Sequence, residues 1–204
     1  MSMEIQDYQK MKVLTNNFIV LWQHIDGIAP PSVEEKFAKA MLKWLGCLTD
    51  TLDLWINKVD NMTEGELILA RVNLGALVEC WLKMFYCAYY EDYLKEPLQK
   101  KKKGKNIVVE PEKLSFEQLK QFGIDKLYKK NSDRYNWINS VQDKRNAVHL
   151  LKYREIGTPT LFVNDVIEYC TFVNDMYSSF PSIEDCIDNC DGTYPYGYQP
   201  LPIF

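Results

Sequence analysis

Apolar residues recur at spacings of three and four in five long segments of this chain. That spacing places them on one face of an α-helix, whereas a half-buried strand needs strict alternation. Residues 63–93 are apolar over much of the helix circumference, which predicts a central position for that helix. Because strand signals are few, the sequence predicts an all-α fold, with long helices at residues 3–25, 32–58, 63–93, 134–154 and 160–179.

Capping boxes mark where several helices should begin. In a capping box, a serine or threonine side chain covers a free backbone N–H, and an acid or amide three residues later reaches back. The pattern predicts a short helix at residues 115–121. A further short helix is expected at 124–130, and Ser132 or Asp133 can cap the helix at 134–154. The boxes themselves are Ser32 with Glu35, Thr63 with Glu66, and Ser115 with Gln118.

The composition changes at two places, which sets the predicted domain organisation. Residues 1–180 are predicted to form one helical domain, with a basic, polar loop at about 97–112 that holds one short extended piece. Residues 181–204 form a Pro/Tyr-rich tail. Prolines disfavour a helix there and the aromatic residues argue against simple disorder. The tail is therefore expected to lie extended along the domain or a partner, or to be flexible in solution.

The chain has the composition of a globular protein, with 47% hydrophobic and 25% charged residues. No apolar run reaches the roughly 18 residues that cross a bilayer. The N-terminal residues lack the basic and apolar regions of a signal peptide. These patterns predict a cytoplasmic protein without a membrane partner.

The net charge of −4 hides a strong asymmetry. Residues 95–154 hold 16 of the 24 Lys and Arg but 7 of the 28 Asp and Glu, which gives this part a net charge of +9. Such a surface attracts an anionic partner such as RNA or a nucleotide. The alternative is that the lysines of the loop are merely solvated. The candidate nucleic-acid contacts are Lys100, Lys101, Lys102, Lys103, Lys105, Lys144 and Lys152.

Six cysteines are too few for a disulfide scaffold in a chain of 204 residues. Cys80 and Cys87 share an apolar helix face and are predicted to be reduced core residues. Cys186 and Cys190 have C-x3-C spacing, but no histidine lies near them, so ordinary thiols are favoured over a metal site. No cofactor is predicted, because the sequence has no P-loop, no dinucleotide-binding glycine pattern and no H-E-x-x-H helix.

The segment that favours chemistry is Asp143-Lys-Arg-Asn-Ala-Val-His149. On a continuous helix, Arg145 and His149 leave the same face one turn apart. They then lie beside an apolar stripe formed by Trp137, Val141, Val148 and Leu151. Placing a cation, an imidazole and the Asn146 amide beside a buried stripe costs free energy unless these groups are hydrogen-bonded or ion-paired. Such groups therefore indicate either a structural network or a functional site. The chain's other histidine, His24, is predicted to lie near a helix C-terminus, where a protonated imidazole interacts favourably with the helix dipole.

Arg71, Gly75 and Glu79 recur at intervals of four in the central helix. Glycine inside a helix costs about 1 kcal/mol relative to alanine, which close approach by another helix can offset. Glu79 is flanked by apolar residues and needs a cationic partner. A local pairing with Arg71 or Lys83 is favoured, and Arg145 from the later helix is the alternative.

The helices and the residues Arg145, Asn146 and His149 resemble the HEPN superfamily, the higher eukaryote and prokaryote nucleotide-binding helical domains. The central helix around residues 73–79 adds to the likeness. The resemblance implies a four- to five-helix up-and-down bundle that pairs two-fold as a homodimer. Active members resemble metal-independent ribonucleases of toxin–antitoxin and phage-defence systems, in which the motifs of two protomers form one cleft. The family pattern has four to six residues between arginine and histidine, and here there are three.

The resemblance makes Arg145, His149 and Asn146 the candidate catalytic residues, supported by Glu79 and Asp143. RNA cleavage without a metal needs a group that moves protons near neutral pH and a fixed cation for the phosphoryl oxygens. The attacking group would be the substrate's own 2′-hydroxyl, which leaves a cyclic phosphate. Alternatives are a non-catalytic module that binds a nucleotide or docks onto another protein, such as an antitoxin, and a structural network of Arg145 and His149 with Glu79 or Asp143.

Overall fold

The computed structural model describes residues 5–102, 105–183 and 197–199. Over these residues the chain is mostly helical, which confirms the predicted all-α class. The helices are α1 (Ile5–Trp22), α2 (Pro31–Ala38), α3 (Leu42–Asn57), α4 (Glu64–Ala88), α5 (Tyr90–Tyr93), α6 (Phe116–Phe122), α7 (Asp133–Arg145) and α8 (Pro159–Ser179). Two strands, β1 (Gln99–Lys102) and β2 (Lys105–Val108), pair as an antiparallel hairpin.

Helix α4 is the centre of the molecule, as its apolar circumference predicts. It packs against α2, α3, α6, α7 and α8, while α1 packs on α3 and α8. Leu77, Val78, Trp81 and Leu82 of α4 are fully buried. The Trp81 indole packs at a tilt against the Phe18 ring of α1, with ring centroids 4.7 Å apart, and it donates a hydrogen bond to the Tyr169 hydroxyl of α8 (3.0 Å).

Residues 32–58 are not one helix, so that prediction is wrong. The chain breaks at residues 39–41 between α2 and α3. A continuous helix would turn Met41 and Trp44 inward, but both are exposed. The break changes the helical phase, so that Leu42 enters the core beside Leu45 and Leu52, which the continuous helix would also direct inward. Each short helix can thus direct its own apolar stripe towards α4.

Two of the three predicted capping boxes are confirmed. Thr63 and Glu66 cap α4, and Ser115 and Gln118 cap α6, each with both reciprocal hydrogen bonds. The Ser32 box is wrong because α2 begins at Pro31, one residue before that serine. Of the two predicted caps of α7, Ser132 is the one found, and its hydroxyl accepts from the Tyr135 N–H (3.3 Å).

Residues 124–130 form a tight turn, so the short helix predicted there is wrong. Asp125 adopts a φ of 64°, and Ile124 and Tyr128 form an isolated bridge. Tyr128 is buried, and its hydroxyl donates to the Lys120 carbonyl at 3.0 Å. Its ring lies over Gly123, where a Cβ would stand 2.5 Å from the ring carbon that bears the hydroxyl. Burial of this ring against α6 favours the turn over a further helix.

Helix α7 ends at Arg145, so the predicted continuation of this helix to residue 154 is wrong. A 3-10 turn, Asn146–Val148, follows it. Arg154 forms an ion pair with Asp143, and Arg71 Nε donates to the Ile156 carbonyl (3.0 Å). A straight helix would hold residues 143 and 154 about 16 Å apart along its axis. These contacts therefore require the chain to fold back after α7.

The described part of the tail consists of residues 181–183 and 197–199. Asn16 donates to the Gly197 carbonyl (2.8 Å), and Asn17 exchanges two hydrogen bonds with the backbone of Gln199. This short piece therefore lies against α1. Cys186 and Cys190 lie outside the described residues. Among the described helices, none combines the length and apolar character that crossing a bilayer requires.

Candidate functional site

Arg145 lies against the middle of α4, at the glycine that the sequence singles out. A Cβ at Gly75 would stand 2.5 Å from the Arg145 Cβ and closer still to its Cγ, so the bare glycine backbone is what admits this side chain. One guanidinium nitrogen donates to Glu79 Oε2 at 2.8 Å, and another donates to the Asn146 side-chain oxygen at 3.3 Å. The guanidinium is thereby held in one orientation, with 30% of the Arg145 side chain still exposed.

Glu79 has two cationic partners. Its Oε1 pairs with Lys83 at 2.8 Å and its Oε2 with Arg145. The favoured local pairing with Lys83 and the alternative with Arg145 therefore both occur, while Arg71 does not contact Glu79. The carboxylate is only 13% exposed, and a buried carboxylate needs such partners.

His149 is not on α7, so the helical i, i+4 geometry predicted for it and Arg145 is wrong. It follows the 3-10 turn, and its backbone N–H donates to the Asn146 carbonyl at 3.0 Å. The imidazole is exposed, and in the described ranges no hydrogen bond or ion pair of its ring is found. The ring is therefore open to solvent and to any incoming ligand.

The residues around His149 form an exposed apolar segment, residues 148–153. Val148 and Leu151 were predicted to face the core, but Val148 is 44% exposed and Leu151 fully exposed. Leu150 and Tyr153 are each 84% exposed. Trp137 and Val141 of the same predicted stripe do pack into the core. The stripe thus ends where α7 ends.

Asp143 and Lys144 form ion pairs with residues other than Arg145 and His149. Asp143 pairs with Arg154, and both line a polar cleft of about 500 Å³ next to Asn146. Lys144 pairs with Asp165 of α8 at 2.7 Å. Asp165 also pairs with Arg71, whose side chain is almost completely buried. Burial lowers the pKa of Arg71 below its usual value, and the neighbouring Asp165 opposes that shift.

The two loop lysines whose side chains are described follow the C-terminal end of α4, whereas Arg145 packs on its middle. Lys100 and Lys105 are exposed on the hairpin, which follows the C-terminal end of α4. That end, Ala88, lies about 20 Å along the helix axis from Gly75. Of Lys101 and Lys102 only the backbone is described, and Lys103 lies outside the described residues. Lys152, by contrast, is exposed within the apolar segment 148–153 and next to the motif.

Sequence reasoning missed two residues near this site, Asp165 and Arg154, and it missed the pairing of Arg71 with Asp165 in the core. Asp165 is an acidic residue in the inner stripe of α8, between the buried residues Phe162 and Tyr169, and that position was the available signal. In the described part of the chain, no group of three or more His, Cys, Asp or Glu side chains could hold a metal ion.

Comparison with known proteins gives no family assignment. No protein-family model matches the sequence, and neither curated proteins nor solved structures give a significant match.

Proposed function

We propose that this protein is a HEPN-like, metal-independent endoribonuclease whose site is built from Arg145, Asn146 and His149. The observation that carries the proposal is the arrangement of the motif: an arginine fixed by Glu79 and Asn146, followed four residues later by an imidazole that is open to solvent. A fixed cation and an available proton carrier are the two groups that phosphodiester cleavage without a metal requires.

Arg145 keeps donors for a phosphate after its observed contacts are counted. A guanidinium has five N–H donors in a planar fork, and the contacts to Glu79 and Asn146 use two of them. The remaining donors can bind phosphoryl oxygens as charge builds there. Asn146 keeps the guanidinium in place, and Lys152 adds positive charge nearby.

His149 moves the proton. Its imidazole takes the proton of the substrate's 2′-hydroxyl, the 2′-oxygen attacks phosphorus, and the bond from phosphorus to the 5′-oxygen breaks. The leaving 5′-oxygen is protonated by the imidazolium of a second copy's histidine in the shared cleft. The products are a 2′,3′-cyclic phosphate and a 5′-hydroxyl, so atoms and charge balance without water or metal.

The apolar segment 148–153 supports a homodimer at this place. Leu150, Leu151 and Tyr153 leave an apolar surface next to His149, and such surfaces on soluble proteins mark interaction sites. A second copy that covers the segment would bring two motifs together.

A second candidate function is a non-catalytic interaction module. The ion pair between Arg145 and Glu79 favours it, because this pair links α7 to α4 and is sufficient to explain the arginine as a structural residue. In this case the segment 148–153 docks onto a different protein, and no RNA is cut.

The two functions are separated by incubating the purified protein with bulk RNA in EDTA. Cleavage by the parent protein that His149→Ala abolishes, with cyclic phosphate at the new ends, supports the ribonuclease. The matched control is His24→Ala, since His24 is the only other histidine and its ring is held by the Val20 carbonyl at 2.7 Å. Absence of cleavage by the parent, or equal cleavage by His149→Ala, contradicts the proposal and leaves the interaction module.

A further inference from the structure

The tail segment of residues 197–199 contacts one turn of α1 through its backbone. The Asn17 side-chain nitrogen donates to the Gln199 carbonyl (2.6 Å), and the Gln199 N–H donates to the Asn17 side-chain oxygen (2.9 Å). The neighbouring Asn16 donates to the Gly197 carbonyl at 2.8 Å. Because all three bonds go to main-chain groups of the tail, they can form with any peptide that has the same backbone conformation.

The Asn17 side chain takes the place of a neighbouring β-strand. Asn17 is fully buried, and both polar ends of its amide bond to one residue, Gln199. Such an exchange of two hydrogen bonds with a single residue is the pattern of a paired residue in an antiparallel ladder, and it requires an extended backbone. A buried amide without partners is unfavourable, so α1 carries at this position a polar group that fits an extended peptide.

The tail sequence favours the conformation that α1 binds. Pro200 follows Gln199 in the sequence, and proline biases the residue before it towards the extended region. Gly197 has a φ of 97°, which glycine adopts readily and other residues rarely adopt. Tyr198, between them, packs against the hydrophobic core. The pattern that fits the site is therefore glycine, an aromatic residue, a residue that keeps its N–H, and proline.

We propose that Asn16 and Asn17 form a binding site for extended peptides of the pattern Gly-aromatic-x-Pro, and that the chain's own tail is its intramolecular ligand. The partner that fits the site from outside is the same segment of a second copy of this chain. A tethered segment has a high effective concentration, so the outside segment must compete with the tail. The inference uses none of the residues of the Arg145 site and does not depend on the proposed ribonuclease.

A labelled peptide of residues 194–204 tests this proposal with the full chain, and fluorescence anisotropy gives its dissociation constant. In the protein variant Gln199→Pro, the tail loses the N–H that the Asn17 oxygen accepts, while α1 is unchanged. The peptide is expected to bind this variant about tenfold more tightly than the parent protein, because the weakened tail competes less. A peptide that itself carries Gln199→Pro is expected to bind the variant about fivefold more weakly than the unchanged peptide, the effect of one net hydrogen bond.

Asn17→Leu, combined with Gln199→Pro, removes the amide with a side chain of similar size and is expected to abolish binding of the peptide. The matched control is Asn57→Leu in the same background, since Asn57 is an exposed asparagine at the end of α3, and it should leave binding unchanged. Far-UV circular dichroism checks that each variant is folded.

Absence of peptide binding to Gln199→Pro overturns the proposed site. Equal binding to the parent and to Gln199→Pro overturns the claim that the tail is its ligand. Full affinity of the proline-substituted peptide overturns recognition through the backbone, and this last comparison does not depend on how any variant of α1 folds.

Discussion

Arg145 at the end of α7 packs directly on Gly75 of α4. The arginine's Cβ and Cγ occupy the space where any other residue at position 75 would carry its Cβ. The backbone fixes the Arg145 Cβ, which cannot move aside unless the end of α7 moves. Glycine at this position is therefore explained by packing, and it offsets the low helix propensity of glycine.

Gly75→Ala is expected to destabilise the protein by about 1–3 kcal/mol, because the added methyl overpacks the interface between α4 and α7. The free energy of unfolding in urea, followed by circular dichroism, measures the effect.

The matched control is Gly65→Ala, also in α4, where an added Cβ meets nothing within 4 Å. It is expected to stabilise the protein by up to about 1 kcal/mol through helix propensity alone. If both alanines stabilise alike, the close packing of Arg145 on Gly75 is contradicted.

At the scale of elements, one buried charge cluster joins three helices and a loop. Arg71 of α4 pairs with Asp165 of α8, Lys144 of α7 pairs with the same carboxylate oxygen, and the Ile156 carbonyl accepts from Arg71. Because Arg71 is almost fully buried, its charge depends on Asp165 for compensation. The cluster fixes the place at which the chain returns from α7 to α8.

Asp165→Ala is expected to destabilise the protein by about 3–5 kcal/mol, because it leaves the buried Arg71 charge without its partner. Urea unfolding again gives the free energy. Asp175→Ala is the control, since Asp175 is an acid of the same helix whose pairing with Arg134 is exposed to solvent, and about 0–1 kcal/mol is expected there. A cost for Asp165→Ala as small as that for Asp175→Ala would show that Arg71 is hydrated.

At the scale of the whole molecule, the apolar segment 148–153 is the feature that a single chain leaves unexplained. Its three large side chains contribute nothing to the core of the chain that presents them. Within the proposed homodimer they are buried, and His149 lies at the edge of the same surface. Association would thus complete the site.

The double variant Leu150→Asp, Leu151→Asp is expected to change a dimer into a monomer, because each partner would bury two carboxylates in its interface. Sedimentation equilibrium at micromolar concentration measures the molecular mass, and far-UV circular dichroism should remain unchanged because both leucines are exposed.

Leu54→Asp is the control for this experiment, since Leu54 is a half-exposed leucine of a different element, α3. It is expected to leave the mass unchanged. A parent protein that sediments as a monomer contradicts the proposed homodimer. Dissociation by Leu54→Asp alone would place the interface on α3 instead.

The amino-acid sequence by itself determined the elements whose signals are local. The apolar periodicity and the Thr63–Glu66 capping box predicted α4 and its central position, and the apolar stripe of residues 160–179 predicted α8. A capping box acts within four residues, and periodicity acts within a few turns, so neither depends on the rest of the chain. The same periodicity marked Gly75 and Glu79 as a face that another helix approaches.

Only the tertiary structure decided where helices end within segments whose apolar pattern continues without a break. The break between α2 and α3 follows from the requirement that both bury their apolar stripes against α4, which is set by distant residues. The end of α7 at Arg145 follows from contacts of Arg154 and Ile156 with partners 11 and 85 residues away. Because those contacts are long-range, the local pattern extended the helix through His149 and turned Leu151 inward. The residues of the motif could be named from sequence, but their arrangement and exposure depended on how the chain folds back.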